Sequence, residues 1–342
     1  MRLWHIEYKF FDRELYMIIT RTPLRISFAG GGSDMPSYYT KYGGAVVSTA
    51  ISKYIYVTIN KKFDDAIRLS YSKTEHVTSV GEIEHGIARA VLTLTNVRGG
   101  VEITTIADIP ASGTGLGSSS SFTVGLLHAL HAYQGRYVGA AQLGAESCHI
   151  EIDVCNAPIG KQDQYAAAYG GFNFIRFEPD GNVTVEPLIC PPAARDTLER
   201  NILLLYTGRT RSANTILAEQ SANSAASSGT QAALRRMTAL TNDFAQAMQR
   251  GDCDAVGDIL HEGWELKKHL ASGISNAAID SWYDTGRRAG ATGGKILGAG
   301  AGGFLLFYAP QEKHPAIIQA LPELRPMPIN FERTGSQVIF HT

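Results

Sequence analysis

No stretch of this 342-residue chain approaches the ~20 consecutive apolar residues that a helix needs to cross a bilayer. The first sixteen residues, MRLWHIEYKFFDRELY, mix charges with aromatics and contain neither an apolar core segment nor a small-residue cleavage site, so no secretory leader is expected. Cysteine is scarce. The four at 148, 155, 190 and 253 form no Cys-x-x-Cys pair and no repeating spacing, which excludes a zinc site or a disulfide framework and suits the thiols of a cytoplasmic protein. There is no surplus of charge of either sign: 31 Lys+Arg stand against 32 Asp+Glu, a net −1. Neither nucleic acid nor an anionic membrane is therefore an expected partner, and any anion site must be local. Lysine is missing altogether between Lys73 and Lys161.

That last gap matters because it contains the most informative segment, PASGTGLGSSSS at 110–121. Three glycines and four serines run into a breaker-free helical pattern over 122–133, which predicts a phosphate cradle. Glycines let the backbone approach an anion, the first helical N–H groups have no intrahelical partner, and the helix dipole favours negative charge there. Gly113, Gly115 and Gly117 fall one residue short of Gly-x-Gly-x-x-Gly, and no Gly-Lys-Ser/Thr follows, so neither standard nucleotide loop is matched. The plainer reading is a flexible turn before a capped helix.

A content of 44% hydrophobic residues supports packed globular structure, and the length favours two domains. The pattern divides into an extension at 1–16, an N-terminal unit at 17–195 and a C-terminal unit at 196–342. In the first, strands are expected over 17–28, broken by Pro23, over 44–59 as two strands, and over 101–106 and 171–177, with a helix over 140–154. In the second, a strand at 202–206 precedes a helix at 212–219, a small polar and mobile segment at 220–230, and helices at 231–249 and about 254–270. A strand–loop–strand at 293–308, a helix near 314–321 and a strand at 336–340 complete it.

Three further constellations carry chemistry. TPLRISFAGGGSD at 22–34 places Arg25 in a strand before Gly31, Gly32, Ser33 and Asp34, whose carboxylate can accept hydrogen bonds from ligand hydroxyls. A β-bulge with a surface arginine is the alternative. Glu151 precedes, and Asp163 lies within, NAPIGKQDQ at 156–164, whose Pro/Gly loop is able to fold two carboxylates into one cleft, one for Mg²⁺ and one for an attacking hydroxyl. Either is also a common surface acid. GGKILGAGAGGFLLF at 293–307 matches Gly-x-Gly-x-x-Gly formally, yet a strand rather than a helix follows it. A dinucleotide site is thus excluded, and the turn is expected to press on the 110–121 loop.

Together these segments resemble the GHMP kinases, the superfamily of galactokinases, homoserine kinases, mevalonate kinases and phosphomevalonate kinases. Residues 110–121 look like its nucleotide loop and 293–303 like its third motif; 22–34 and YGGAVVSTAISKY at 42–54 look most like D-glycero-α-D-manno-heptose 7-phosphate kinases, with fucokinases as near neighbours. The resemblance implies an α+β fold of two domains: a mixed β/α nucleotide-binding domain, a ferredoxin-like C-terminal domain, and an active site in the cleft between them. It implies an ATP-dependent sugar kinase acting with Mg²⁺, with a sugar phosphate as partner and a homodimer as one oligomeric option.

By position, Asp163 matches the catalytic aspartate and Arg25 the arginine at the reacting hydroxyl. Gly113, Gly115, Leu116, Gly117, Ser118, Ser119 and Ser120 match the ATP loop. Glu151 falls at the metal-binding glutamate, with Ser119 as its serine partner and Ser118 or Ser120 as alternatives in the serine run. Asp34, with Gly31, Gly32 and Ser33, matches the sugar-binding segment. That segment lacks the Glu-His pair of galactokinases, which argues against galactose. Gly300 belongs to the third motif as a substrate-side residue, and Lys161, Arg209 and Arg211 are candidates for the substrate phosphate. A non-catalytic binding module is the alternative of a different class.

Overall fold

The computed structural model describes residues 17–110, 113–209 and 213–342. The expected extension at 1–16, and Arg211, lie outside them. The chain runs β1 (Met17–Ala29), α1 (Pro36–Tyr42), β2 (Gly44–Lys61), β3 (Ile67–Ser70), β4 (Thr74–Val77), α2 (Gly86–Leu94), β5 (Val101–Ala107), α3 (Ser118–Tyr133) and α4 (Ala140–Cys148). It continues with α5 (Gln162–Tyr169), β6 (Phe172–Phe177), β7 (Val183–Pro187), α6 (Pro192–Asn201), β8 (Ile202–Tyr206), α7 (Ala213–Ala226), α8 (Ser228–Arg250) and α9 (Asp254–Lys268). The last elements are α10 (Ala277–Arg288), β9 (Gly293–Ile296), β10 (Phe304–Tyr308), α11 (His314–Ala320), β11 (Arg325–Pro326), β12 (Phe331–Glu332) and β13 (Gln337–His341).

Two sheets organise these elements. The first follows the order β13-β1-β2-β5-β3-β4, with β6 and β12 also on β2 and β7 on β6; the second is β11-β8-β10-β9. Every pairing in the second sheet is antiparallel. Its central strands are apolar throughout because both faces are covered. Leu204 and Leu306 join the large core that reaches the first sheet, whereas Leu203, Leu205, Leu305 and Phe307 pack with Trp264, Trp282 and Ile317 on the helical side.

Three local expectations are corrected. Pro23 does not break the first strand: β1 is continuous, and the irregularity is a register shift between Pro23 and Leu24. A bulge accommodates a residue without an N–H that leaves the rest of the ladder paired. Residues 44–59 form one strand of 18 residues, not two, because β2 pairs with β1, β5, β6 and β12 along different parts of its length. The polar segment at 220–230 is helical except at Ser227, whose side chain caps α8 through the Thr230 N–H. Gln220 and Ser224 are buried, so tertiary packing overrides weak local propensity. The strand pairing also returns the last residues to the first sheet: β12 lies on β2 and β13 on β1.

Candidate active site

The glycine–serine loop is shaped by positive φ at Gly113 (70°), Gly115 (78°) and Gly117 (78°), a region that side chains other than glycine rarely adopt. It is clamped from two directions. From β1, the Arg25 N–H donates to the Leu116 carbonyl at 3.1 Å and the Arg25 Nη1 to the Gly115 carbonyl at 2.6 Å. From the C-terminal unit, the Phe304 N–H donates to the Thr114 carbonyl at 3.2 Å. A Cβ on Gly298 would come within 2.4 Å of the Gly115 Cα. The third glycine motif therefore presses on the loop, backbone against backbone, as expected from the sequence.

Behind this loop α3 begins at Ser118, and the carboxylate of Glu151 faces its first turn. Glu151 sits where the backbone after α4 widens into a π-helical turn over His149–Val154, a distortion often found at functional sites. Its side chain is buried and accepts hydrogen bonds from Ser119 Oγ, Ser120 Oγ and Gln164 Nε2, each at 2.7 Å. Burial raises the Glu151 carboxyl above its ordinary range and the charge of Asp163 adds to this, while the three donors oppose it. Ser119 and Ser120 both reach Glu151, whereas Ser118 pairs with Thr114 at 3.2 Å. Carboxylate and hydroxyl oxygens are the hard donors Mg²⁺ takes. Among the described residues no group of three or more His, Cys, Asp or Glu is gathered to hold a metal, so a cation here would depend on phosphate oxygens for much of its shell.

Asp163, at the start of α5, forms a two-pronged ion pair with Arg25: Nε to Oδ1 at 2.8 Å and Nη2 to Oδ2 at 2.7 Å. Arg25 is 3% exposed and the Asp163 side chain 25%. The arginine is thus fixed by packing and its planar fork, and the carboxylate keeps an open edge. Two chambers meet at this pair. The outer one, a cavity of ≈ 870 Å³, is lined by the loop, Ser118–Ser120, Glu151, His85 and Asn156. The inner one, ≈ 80 Å³, is lined by Gly31, Gly32, Asp34, Gln162, Lys267 and Lys295, among others. Arg25, Asp163, Gly298 and Ala299 line both.

Asp34 is held in place by backbone: its Oδ1 accepts from the Gly32 N–H at 2.9 Å and its Oδ2 from the Gln162 N–H at 3.2 Å. Burial, and next the Asp163 charge, raise its carboxyl above the ordinary range.

Other expected residues lie elsewhere. The Leu116 side chain is buried in the main core, leaving only its backbone at the loop. Ser33 bridges to Ala45 in both directions, at 2.9 and 3.0 Å, and is fully buried. Gly300 sits against Ile274, where a Cβ would be 2.6 Å from its carbonyl oxygen. Lys161 donates to the Gly181 carbonyl at 2.8 Å and lies over the Tyr39 ring; Arg209 lies over the Trp282 ring. Neither cation lines either chamber.

Sequence reasoning missed Lys267 and Lys295. Lys267 reads as half of a solvated Lys-Lys pair ending a helix. Lys295, alone in the apolar and glycine-rich GGKILG, carried a signal, since a lone charge inside a buried strand needs a reason.

Two family descriptions match the chain: "GHMP kinases N terminal domain" over residues 80–171 and "GHMP kinases C terminal" over 244–324. D-glycero-alpha-D-manno-heptose 7-phosphate kinase of Campylobacter jejuni is 33% identical over 319 residues, 89% of this chain and 93% of the relative. L-fucokinase/L-fucose-1-P guanylyltransferase of Bacteroides fragilis is 29% identical over 84% of this chain, but only 34% of that longer protein is covered. Among solved structures, a D-glycero-D-manno-heptose 1-phosphate kinase from Bacteroides thetaiotaomicron superposes with a TM-score of 0.77 at 28% identity, covering 94% of this chain and 98% of its own. Galactokinase of Lactococcus lactis, solved with galactose, shares the fold at 17% identity and a TM-score of 0.75. Matched by both family descriptions and 33% identical to a heptose phosphate kinase over nearly its whole length, the chain belongs to the GHMP kinases and is a two-domain sugar kinase that transfers phosphate to an alcohol acceptor.

Proposed function

We propose that this kinase transfers the γ-phosphate of ATP to the anomeric hydroxyl of D-glycero-D-manno-heptose 7-phosphate, giving the 1,7-bisphosphate. The observation that carries this reading is the meeting of a large outer chamber and a small inner one at the Arg25–Asp163 pair. ATP lies on 113–120, its phosphates facing the backbone N–H groups at the start of α3. The acceptor hydroxyl reaches Asp163 from the inner side. Asp163 takes or orients its proton, the oxygen forms its bond to the γ-phosphorus, and the bond to ADP breaks. Arg25 holds the carboxylate in place and faces the charge that develops on the transferred group. Glu151 and Ser119, or Ser120, would hold Mg²⁺; when bound, the ion offsets charge on the phosphate oxygens. Asp34, fixed by two N–H groups, keeps lone pairs for sugar hydroxyls.

ADP release measured over a panel of heptose 7-phosphates, free hexoses and fucose, with ³¹P NMR locating the new phosphate, tests the reading. A marked preference for a heptose 7-phosphate and a new anomeric phosphate are expected. Preference for fucose would replace the acceptor and keep the mechanism; failure to bind ATP would remove both.

A further inference from the structure

The inner chamber carries an unbalanced charge. Its lining includes three cations, Arg25, Lys267 and Lys295, but only two carboxylates, Asp34 and Asp163. Arg25 and Asp163 neutralise each other, so two lysines remain for one aspartate, and all three of these groups are buried, at 6%, 5% and 3% exposure. Among the described residues each lysine has one hydrogen-bond acceptor, and both are backbone carbonyls. Lys267 Nζ donates to Gly298 and Lys295 Nζ to Phe28 at 3.1 Å. An ammonium has three donors, so most of the donor capacity of the pair is unused.

Two neutral groups of the same lining are also unspent. Ser27 Oγ and Gln162 Oε1 are buried without a partner, and Ser27 is 5% exposed. Polar atoms so deep in a protein are ordinarily bonded. A buried cation left without a countercharge is costly: it either gives up its proton or is completed by a charged ligand. Burial drives the Lys267 ammonium down to about 8 and that of Lys295 well below its ordinary value, each cation near the other and near Arg25. This is the strain an anion would relieve.

The chamber also has the wrong size for a nucleotide. At ≈ 80 Å³ it is far below the ~300 Å³ at which whole-ligand pockets begin, and takes part of an acceptor rather than a nucleotide.

We infer that the inner chamber is a phosphate-ester subsite, in which Lys267 and Lys295 hold a phosphate already carried by the acceptor and the Ser27 hydroxyl adds a donor. The inference rests on the sugar-kinase reading above and assigns residues to the phosphate that its acceptor carries. It also moves the recognition of that phosphate away from Lys161 and Arg209. The reaction that supplies this substrate must then be one that leaves a phosphate ester on the sugar before the anomeric position is phosphorylated.

The test is a comparison of acceptor pairs that differ only in the phosphate, heptose 7-phosphate against heptose and mannose 6-phosphate against mannose. Each is measured for KM in wild-type protein and in Lys267→Met and Lys295→Met, with affinity for a non-hydrolysable ATP analogue as the check on folding. Wild-type protein is expected to prefer the phosphorylated member of a pair. Each variant should raise the KM of that member by roughly 30-fold or more and leave the unphosphorylated member within about threefold, with Lys295→Arg recovering part of the loss. Equal loss on both members of a pair, or no loss on the phosphorylated one, overturns the subsite.

A second measurement needs no variant. Inorganic phosphate should inhibit wild-type protein in competition with the acceptor and not with ATP; competition with ATP alone, or none, counts against the subsite. If the heptose is not an acceptor but another phosphorylated sugar is, and the variants lose it, the subsite stands and the heptose assignment falls. If wild-type protein prefers neutral sugars, the subsite falls and the kinase remains.

Discussion

The two chambers handle phosphate by different physics. The outer one, proposed to take the triphosphate, offers the start of α3 and serine hydroxyls, and its one buried carboxylate, Glu151, is tied to Ser119, Ser120 and Gln164. The inner one is lined with two basic side chains, Lys267 and Lys295, that are buried and only partly satisfied. A nucleotide that brings its own cation has part of its charge offset on arrival, so fewer protein cations are needed beside it. An acceptor without a metal has to find its countercharge in the protein. The outer chamber thus shares the single cation Arg25 with the inner one, which adds two lysines of its own.

The largest expected effect lies on the wall between the chambers. Asp163→Asn keeps the shape but removes the basic oxygen, and turnover should fall by about 10²–10⁴-fold with ATP affinity largely kept. Single-turnover quench measures this, and near-normal turnover would remove Asp163 as base. On the outer side, Glu151→Gln should raise the Mg²⁺ concentration needed for half-maximal rate by about tenfold or more, while acceptor KM moves little. A magnesium titration decides it, and an unchanged midpoint would separate Glu151 from the metal.

Gly298→Ala attacks the clamp rather than the ligands. The added Cβ lies 2.4 Å from the Gly115 Cα, at φ +68°, which should cost about 2 kcal/mol of stability and raise the KM for ATP several-fold. Thermal unfolding together with an ATP titration checks both, and a neutral result would show that the clamp is dispensable.

The inner chamber alone should respond to mild alkali. Lys267 is held at about 8, below its ordinary 10.5, so the empty protein loses that proton as pH rises through about 8. The acceptor KM should then climb several-fold between pH 8 and 9 while the KM for ATP stays flat. The sign for stability is opposite. Between about pH 8 and 10.5 the unfolded chain holds a proton that the folded one lacks, so the empty wild-type protein should gain stability relative to Lys267→Met as pH rises through that window. Parallel melting curves read this difference. The smallest effects belong to Lys161→Ala and Arg209→Ala, whose side chains are engaged with Gly181, Tyr39 and Trp282; each should change acceptor KM by less than about threefold. A large rise would return them to the substrate.

Much of the outer chamber was legible because its parts are local. Gly113, Gly115 and Gly117 lie within five residues and their backbone geometry is their own property. The serine run and the helix that follows are contiguous as well. Arg25 and Asp163, 138 residues apart, were each picked out through resemblance, but their pairing was not expected, since no spacing rule connects a strand with the first turn of a distant helix. Lys267 and Lys295 were missed for a related reason. Whether a lysine is solvated or buried is decided by what packs over it, and local pattern assigned one to a helix end and passed over the other.

By itself the sequence determined the elements whose physics is short-range: the left-handed glycine turns, the start of α3, and the apolar strands β8 and β10 that can only be sandwiched between layers. It also determined the balance of charge that made any anion site local. Only the tertiary structure decided that β12 and β13 return to the first sheet, and that two lysines from α9 and β9 share a chamber with Asp34. Burial and the meeting of charges are set by contacts between distant segments, and those contacts form only once both sheets have packed.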